Sequence, residues 1–231
     1  MSLLIYAGIA NSKSRNFYAN SILQVDFESL DNSNLFVDES GIGRVPDIQT
    51  ITQSDTQVKY GSFAGNCLNN SLQYNTSLNF VTDFSVEMDL YPTNFGSDTG
   101  DTNRCPFSCA SSSSFTVINP AWLLESDGTL LIWTGSASIT SNTQLTINQW
   151  NHVAWYRLGS TFYLAINGIV QTQTYTSTAA ISQSGQFRFS GSTDSSTGRY
   201  SGFYDNIRIL RNISAYSASN FTPPAGPHPT S

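Results

Sequence analysis

Charge is scarce in this 231-residue chain: ten Lys and Arg with sixteen Asp and Glu amount to 11% of it and leave a formal net charge of −6. Ordinary soluble domains carry about 25% charged residues. A net acidic chain with so few cations lacks the Lys/Arg-lined face that a grip on nucleic acid requires. Histidine occurs only as His152 and His228, and cysteine only as Cys67, Cys105 and Cys109. From so few parts no Ser-His-Asp set or Cys-His pair can be assembled. The cysteines are odd in number and lack zinc-type pairing, so buried, ordinary thiols are expected. A 105–109 disulfide stays open for an oxidising setting, although nothing indicates it. No apolar run approaches the roughly 18 residues that span a bilayer, which argues against membrane insertion. Met1–Ala10 (MSLLIYAGIA) is apolar but has no basic segment before it. It reads as a buried strand or arm and not as a signal peptide, which points to cytoplasmic synthesis. Sustained helical periodicity is absent as well, so helix is expected only as a turn near Ser214–Ser219.

What the chain does have is alternation. Hydrophobic residues make up 39% of it, enough to fill a core, and Ser, Thr and Asn take the polar positions. Phe84, Val86, Met88 and Leu90 alternate with Ser85, Glu87, Asp89 and Tyr91, the period-two mark of a half-buried strand. Gln149–Asn167 (QWNHVAWYRLGSTFYLAIN) alternates on both sides of a Leu-Gly-Ser turn and closes on Asn167-Gly168. Asn-Gly is the strongest short-range hairpin signal, because both central turn positions need positive φ. A second hairpin is expected about Asp127-Gly128, a further strand at Phe187–Phe189, and core-facing residues at Ile22, Leu23, Val25 and Phe27. Residues 93–114 and 191–198, rich in Gly, Ser, Thr and Asp, read as the long irregular stretches. About a dozen short strands between Gly/Asn/Asp/Ser turns predict one all-β sandwich without internal repeat or second domain.

The order W-x-H-V-A from Trp150, the Asn167-Gly168 hairpin, and Y-D-N-I-R-I from Tyr204 resembles the laminin-G-like branch of the concanavalin A-like lectin/glucanase superfamily. The resemblance implies a jelly-roll sandwich over residues 19–226, preceded by an N-terminal arm at 1–18 and followed by a short tail at 227–231. The segment YDNIRILRNISAYSASNFTPPAGPHP looks like the end of such domains in tailed-phage structural proteins. There a D-x-x-R-I strand (here Asp205, Arg208, Ile209) precedes a Y-x-x-x-F-x-P-P exit (here Tyr216, Phe221, Pro223, Pro224). That setting implies a non-catalytic virion accessory protein of capsid-decoration or head-fibre type. It would be made in the host cytoplasm, homo-oligomeric, and held to a capsid or tail protein through residues 1–18. The alternative is a glycan-binding receptor module of a tail fibre that engages a host surface glycan through the 93–114 loop and rim aromatics.

A laminarinase-like hydrolase is the remote alternative. Retaining glycoside hydrolysis needs two carboxyl groups about 5–5.5 Å apart. The superfamily's enzymes place them as E-x-D-x-x-E, whereas this chain has Glu87-Met88-Asp89-Leu90-Tyr91-Pro92 with no second Glu. The expectation is therefore no enzyme, with Glu87 and Asp89 as the polar side of a strand and His152 as a satisfied strand histidine. His228, in the PHPTS tail, is expected to be exposed. Trp133, Trp122 and Tyr91 are the ligand-binding candidates, since a flat ring face complements a sugar, with core packing the ordinary alternative for each tryptophan. Asp98, Asp101 and Asn103 could offer oxygen ligands to calcium, although Asp/Gly-rich turns are common without metal.

Overall fold

The computed structural model describes residues 17–29, 31–68, 70–96, 104–110, 118–182, 185–191 and 198–230. One helical turn, at 17–20, precedes eighteen strands among these residues. The first sheet is built around β7 (Phe84–Asn94), β12 (Asn151–Leu158), β13 (Thr161–Ile166) and β18 (Ser201–Arg211). Its order is β14 (Ile169–Val170), β13, β12, β7, β18, β4 (Ala64–Asn66), β3 (Thr52–Ser54), with β1 (Ser21–Val25) also on β18 and β15 (Tyr175–Thr176) on β13. The second sheet runs β11 (Ser138–Thr140), β10 (Leu130–Trp133), β9 (Ile118–Leu124), β8 (Phe107–Ala110), β17 (Gln186–Phe189), β5 (Leu72–Tyr74), β2 (Ile48–Gln49). The pairings that join β12 to β7 and β18 to β7 are antiparallel. Two sheets stacked face to face, with crossovers between non-consecutive strands, form the expected jelly-roll sandwich.

Alternation decides which residues enter the core. Phe84, Val86, Met88 and Leu90 on β7, Val153 and Trp155 on β12, and Phe162, Leu164 and Ile166 on β13 point inward. They meet Trp122 and Leu124 of β9, Phe107 of β8 and Phe187 of β17 from the other sheet. Phe84 packs on Trp155 with ring centroids 4.6 Å apart, and Phe107 on Trp122 at 5.7 Å. Ile22, Leu23, Val25 and Phe27 are buried as their pattern predicts. The hairpin at Asn167-Gly168 has φ of 51° and 79°, the double positive φ that its sequence demands.

Three expectations need correction. Residues 107–110, inside a stretch expected to be irregular, form β8, an interior strand of the second sheet between β17 and β9. Its four residues sit between Ser- and Gly-rich flanks, too short a run for its alternation to stand out. Ser214–Ser219 forms no helix; it is an irregular segment lying across the first sheet. His228 is buried, not exposed, at 6%. The connector at 192–197 lies outside the described residues.

Candidate functional site

The pairing registers lay side chains out as a grid on the outer face of the first sheet, the face turned away from the core. The first row is Trp150, immediately ahead of β12, then Tyr91 and Phe203. The second is His152, Asp89 and Asp205, and the third is Ala154, Glu87, Arg208 and Gln24. One backbone irregularity brings the third row together. Asp205 and Arg208 are three apart, which puts them on opposite faces of a regular strand. Asn206 adopts φ 51° and inserts a bulge where the β18 register shifts between Asp205 and Arg208. The extra residue flips the phase, so Asp205 and Arg208 both point outward while Tyr204, Ile207 and Ile209 point into the core.

Glu87 is fully buried and sits at the centre of a charge cluster. Its Oε1 accepts from Arg208 Nε at 2.8 Å and lies 2.6 Å from the second guanidinium nitrogen. Its Oε2 accepts a short hydrogen bond from the Tyr216 hydroxyl and lies 3.4 Å from His152 Nε2 and 3.8 Å from His228 Nε2. Burial alone would raise its pKa, but Arg208 first, then the two histidines, hold it well below the usual carboxylate range. It is an ionised anchor.

The second row is less satisfied. Asp205 accepts from the Lys59 and Tyr60 backbone N–H groups, both at 3.0 Å, yet burial pushes its pKa up to about 7. Asp89 is fully buried, and burial raises it too. The Asn206 amide is near enough to ease that cost, but neither Asp89 oxygen has a well-formed hydrogen bond among the described residues. His152 Nδ1, His228 Nε2 and Asn206 Nδ2 are likewise buried without a hydrogen-bond partner among these residues.

The 59–60 backbone lies on Asp205, and the chain's own C-terminal segment covers Glu87, His152 and Asn206. After β18 it turns at Asn212 (φ 67°) and crosses the outer face. Tyr216 and Phe221 stack at 4.0 Å, and the Phe221 ring meets His152 edge-on at 6.0 Å. With Ala154, Tyr156 and Ala165 beneath, the two rings make a small second apolar cluster outside the main core. The Tyr156 hydroxyl donates to Ser217 O (2.8 Å), Phe221 N to Gly168 O (2.9 Å), and the Tyr60 hydroxyl to Pro224 O (2.5 Å). His228 N donates to Asn206 Oδ1 (2.9 Å), and Gln24 Nε2 to His228 O (3.0 Å). Phe17 lies over the Arg208 guanidinium at 5.5 Å.

The first row stays partly open. Trp150 and Tyr91 are half-buried, with ring centroids 5.5 Å apart, and Phe203 meets Tyr91 at 6.0 Å. Tyr91 thus stands in an aromatic row that also draws in Trp150 and Phe203, two rings not singled out from the sequence as ligand contacts. Trp133 is 40% exposed at the end of β10, on the opposite side of the sandwich. Trp122 is corrected: it is fully buried between the sheets, because Ala121 and Leu123 take the outward positions on β9. Asp98, Asp101 and Asn103, the calcium candidates, lie outside the described residues. Among the described residues no group of three or more His, Cys, Asp or Glu side chains is arranged to hold a metal ion.

Residues 65–215 match the family model described as the concanavalin A-like lectin/glucanases superfamily. No curated protein matches the sequence. Among solved structures, the chain is similar to domain 4 of AbnA, an extracellular arabinanase from Geobacillus stearothermophilus, in complex with arabinotriose. The identity is 18% over 84% of this chain and 93% of that one, with a TM-score of 0.59. It is similar to the receptor binding domain of botulinum neurotoxin type G at 16% identity and a TM-score of 0.58, over 85% of this chain and 49% of that one. It also resembles Trypanosoma rangeli sialidase at 7% identity and a TM-score of 0.57, over 85% of this chain and 31% of that one. At these identities the likeness is one of fold.

Proposed function

The chain belongs to the concanavalin A-like lectin/glucanases superfamily, and from that premise we propose that it is a non-catalytic glycan-binding module displayed on a virion surface. The observation that carries the glycan reading is the pair of half-open rings of Trp150 and Tyr91, backed by buried Phe203, beside the covered polar row of His152, Asp89 and Asp205. Ring faces next to a few convergent polar groups are the usual make-up of a sugar site. Trp133, exposed on the other side, offers a second ring.

The fate of Glu87 supports the non-catalytic reading. A glycosidase carboxylate must reach the scissile bond, and one group of the pair must carry a proton. Glu87 is ionised, paired with Arg208 and covered by Tyr216. Display on a phage particle, with residues 1–18 bound to a capsid or tail protein, is supported by the D-x-x-R-I and Y-x-x-x-F-x-P-P pattern.

Titration calorimetry against a panel of neutral oligosaccharides tests the glycan reading. Tyr91→Ala or Trp133→Ala is expected to weaken binding at least about tenfold, in line with the roughly 1–3 kcal/mol scale of aromatic stacking contacts. Binding unchanged in both variants would remove both platforms. Quantitative mass spectrometry of purified virions tests the location: hundreds of copies per particle indicate a capsid decoration, and a few to a few tens a tail fibre or vertex protein. A count of zero would end the virion reading.

A further inference from the structure

The C-terminal segment covers the outer face without being knitted into it. Residues 212–230 contain no strand or helix. Their attachments are separate hydrogen bonds, with the backbone of Gly168 and Val170 and with the side chains of Gln24, Tyr60, Thr82, Ser85, Glu87, Tyr156 and Asn206, together with ring contacts of Tyr216 on Tyr156 and of Phe221 on His152. The strands beneath are held by long ladders, β12 on β7 without interruption and β18 on β7 broken only where its register shifts. Opening such a segment exposes far less than opening the sandwich, so it belongs to the low-stability end of the structure.

The fit beneath it is also poor. Native proteins leave few buried polar atoms unpaired, and each such atom costs about 1–3 kcal/mol. Here both Asp89 oxygens, His152 Nδ1, Asn206 Nδ2 and His228 Nε2 have no well-formed hydrogen bond among the described residues, and of these residues His152 and Asn206 touch the segment and His228 is part of it. Water or a ligand reaching the face would satisfy them. Lifting the segment leaves Glu87 paired, because Arg208 is on the same sheet.

We propose that residues 212–230 are a displaceable strap that gates the glycan-binding face. This rests on the glycan-binding reading above and adds its regulation. With the strap down, only the Trp150 and Tyr91 end of the face meets ligand. With the strap lifted, sugar hydroxyls, which both donate and accept, reach Asp89, Asn206 and His152 on the adjoining row. The ligand class is a neutral oligosaccharide: an Asp89 that ligand can reach disfavours an acidic sugar, and the Glu87–Arg208 pair offers no free cation.

The test combines native-state hydrogen exchange with calorimetry on the full chain, a Tyr60→Phe/Tyr216→Phe double variant, and a chain ending at Arg211. In the full chain the Phe221 and His228 amides are expected to exchange at least about 100-fold faster than those of Val86 and Trp155. The double variant, which loses two strap hydroxyl bonds but keeps its rings, is expected to bind arabino-, gluco- or galacto-oligosaccharides about fivefold or more tightly than the full chain. The truncated chain should bind at least as well; if it fails to fold, the double variant carries the test. Strap amides that exchange only as slowly as the core would overturn the proposal. So would equal affinity in the full chain and the double variant, with the glycan reading left standing. Fast strap exchange with no oligosaccharide bound by any of the three chains would overturn the glycan reading itself, and the gate with it.

Discussion

Asp205 and His228 make opposite demands on pH. Burial raises Asp205 to about 7 from an ordinary 3.8, so its contribution to stability is fully present below about pH 4 and is lost as pH rises toward 7. Burial lowers His228 from 6.5 to about 3, so its contribution is present above 6.5 and is lost as pH falls toward 3. Between about pH 5 and 6.5 the two trends oppose, each with a limiting slope of about 1.4 kcal/mol per pH unit. Glu87, held below its ordinary 4.5, titrates under this window. The raised pKa of Asp89 adds to the Asp205 trend. Urea denaturation across the window is therefore expected to show His228→Gln losing stability more steeply with rising pH than the parent chain. Asp205→Asn should shift the slope the other way. Three identical slopes would mean that neither group titrates as its burial demands. None of this was legible from residue identity, since His228 lies in a Pro-rich stretch whose composition reads as an exposed tail.

At the scale of elements, turns and alternation were legible and the bulge was not. Asn167-Gly168 announces its hairpin because few other residue pairs accept positive φ twice. What the dipeptide does not reveal is a second duty: a Cβ on Gly168 would stand 2.0 Å from the Phe221 carbonyl oxygen of the strap. Gly159, in the neighbouring turn, also has positive φ (59°), but nothing lies within 4 Å of its missing Cβ. Both alanine substitutions strain the backbone, each by more than about 1 kcal/mol. Gly168→Ala is expected to cost more, and it alone should speed exchange of the Phe221 amide. Equal effects on stability and exchange would mean that the strap does not rest on this turn. The Asn206 bulge escaped notice because YDNIRIL alternates acceptably in either phase. Only the pairing with β7 shows that one residue is extra, and that extra residue seats Arg208 beside Glu87.

The described residues form one sandwich with all three thiols inside it. Cys67, Cys105 and Cys109 are free and buried, and burial pushes Cys105 up to about 12 and raises the other two as well. Thiolate is the reactive form, so labelling by a disulfide reagent should be negligible in native buffer. It should reach all three cysteines together across the urea transition. A cysteine labelled early would mark a part of the sandwich that opens alone. Composition and period-two patterning by themselves determined the all-β class, the two-sheet core and the long central strands, because core-facing alternation is a local property written every second residue. The outer face was decided only by tertiary structure. The partners of Glu87 lie 65 to 141 positions away in sequence, at His152, Arg208, Tyr216 and His228. Whether a polar strand face meets water, a sugar or the chain's own end depends on where an irregular segment comes to rest. That is set by bonds scattered over the whole fold, to which no spacing along the chain corresponds.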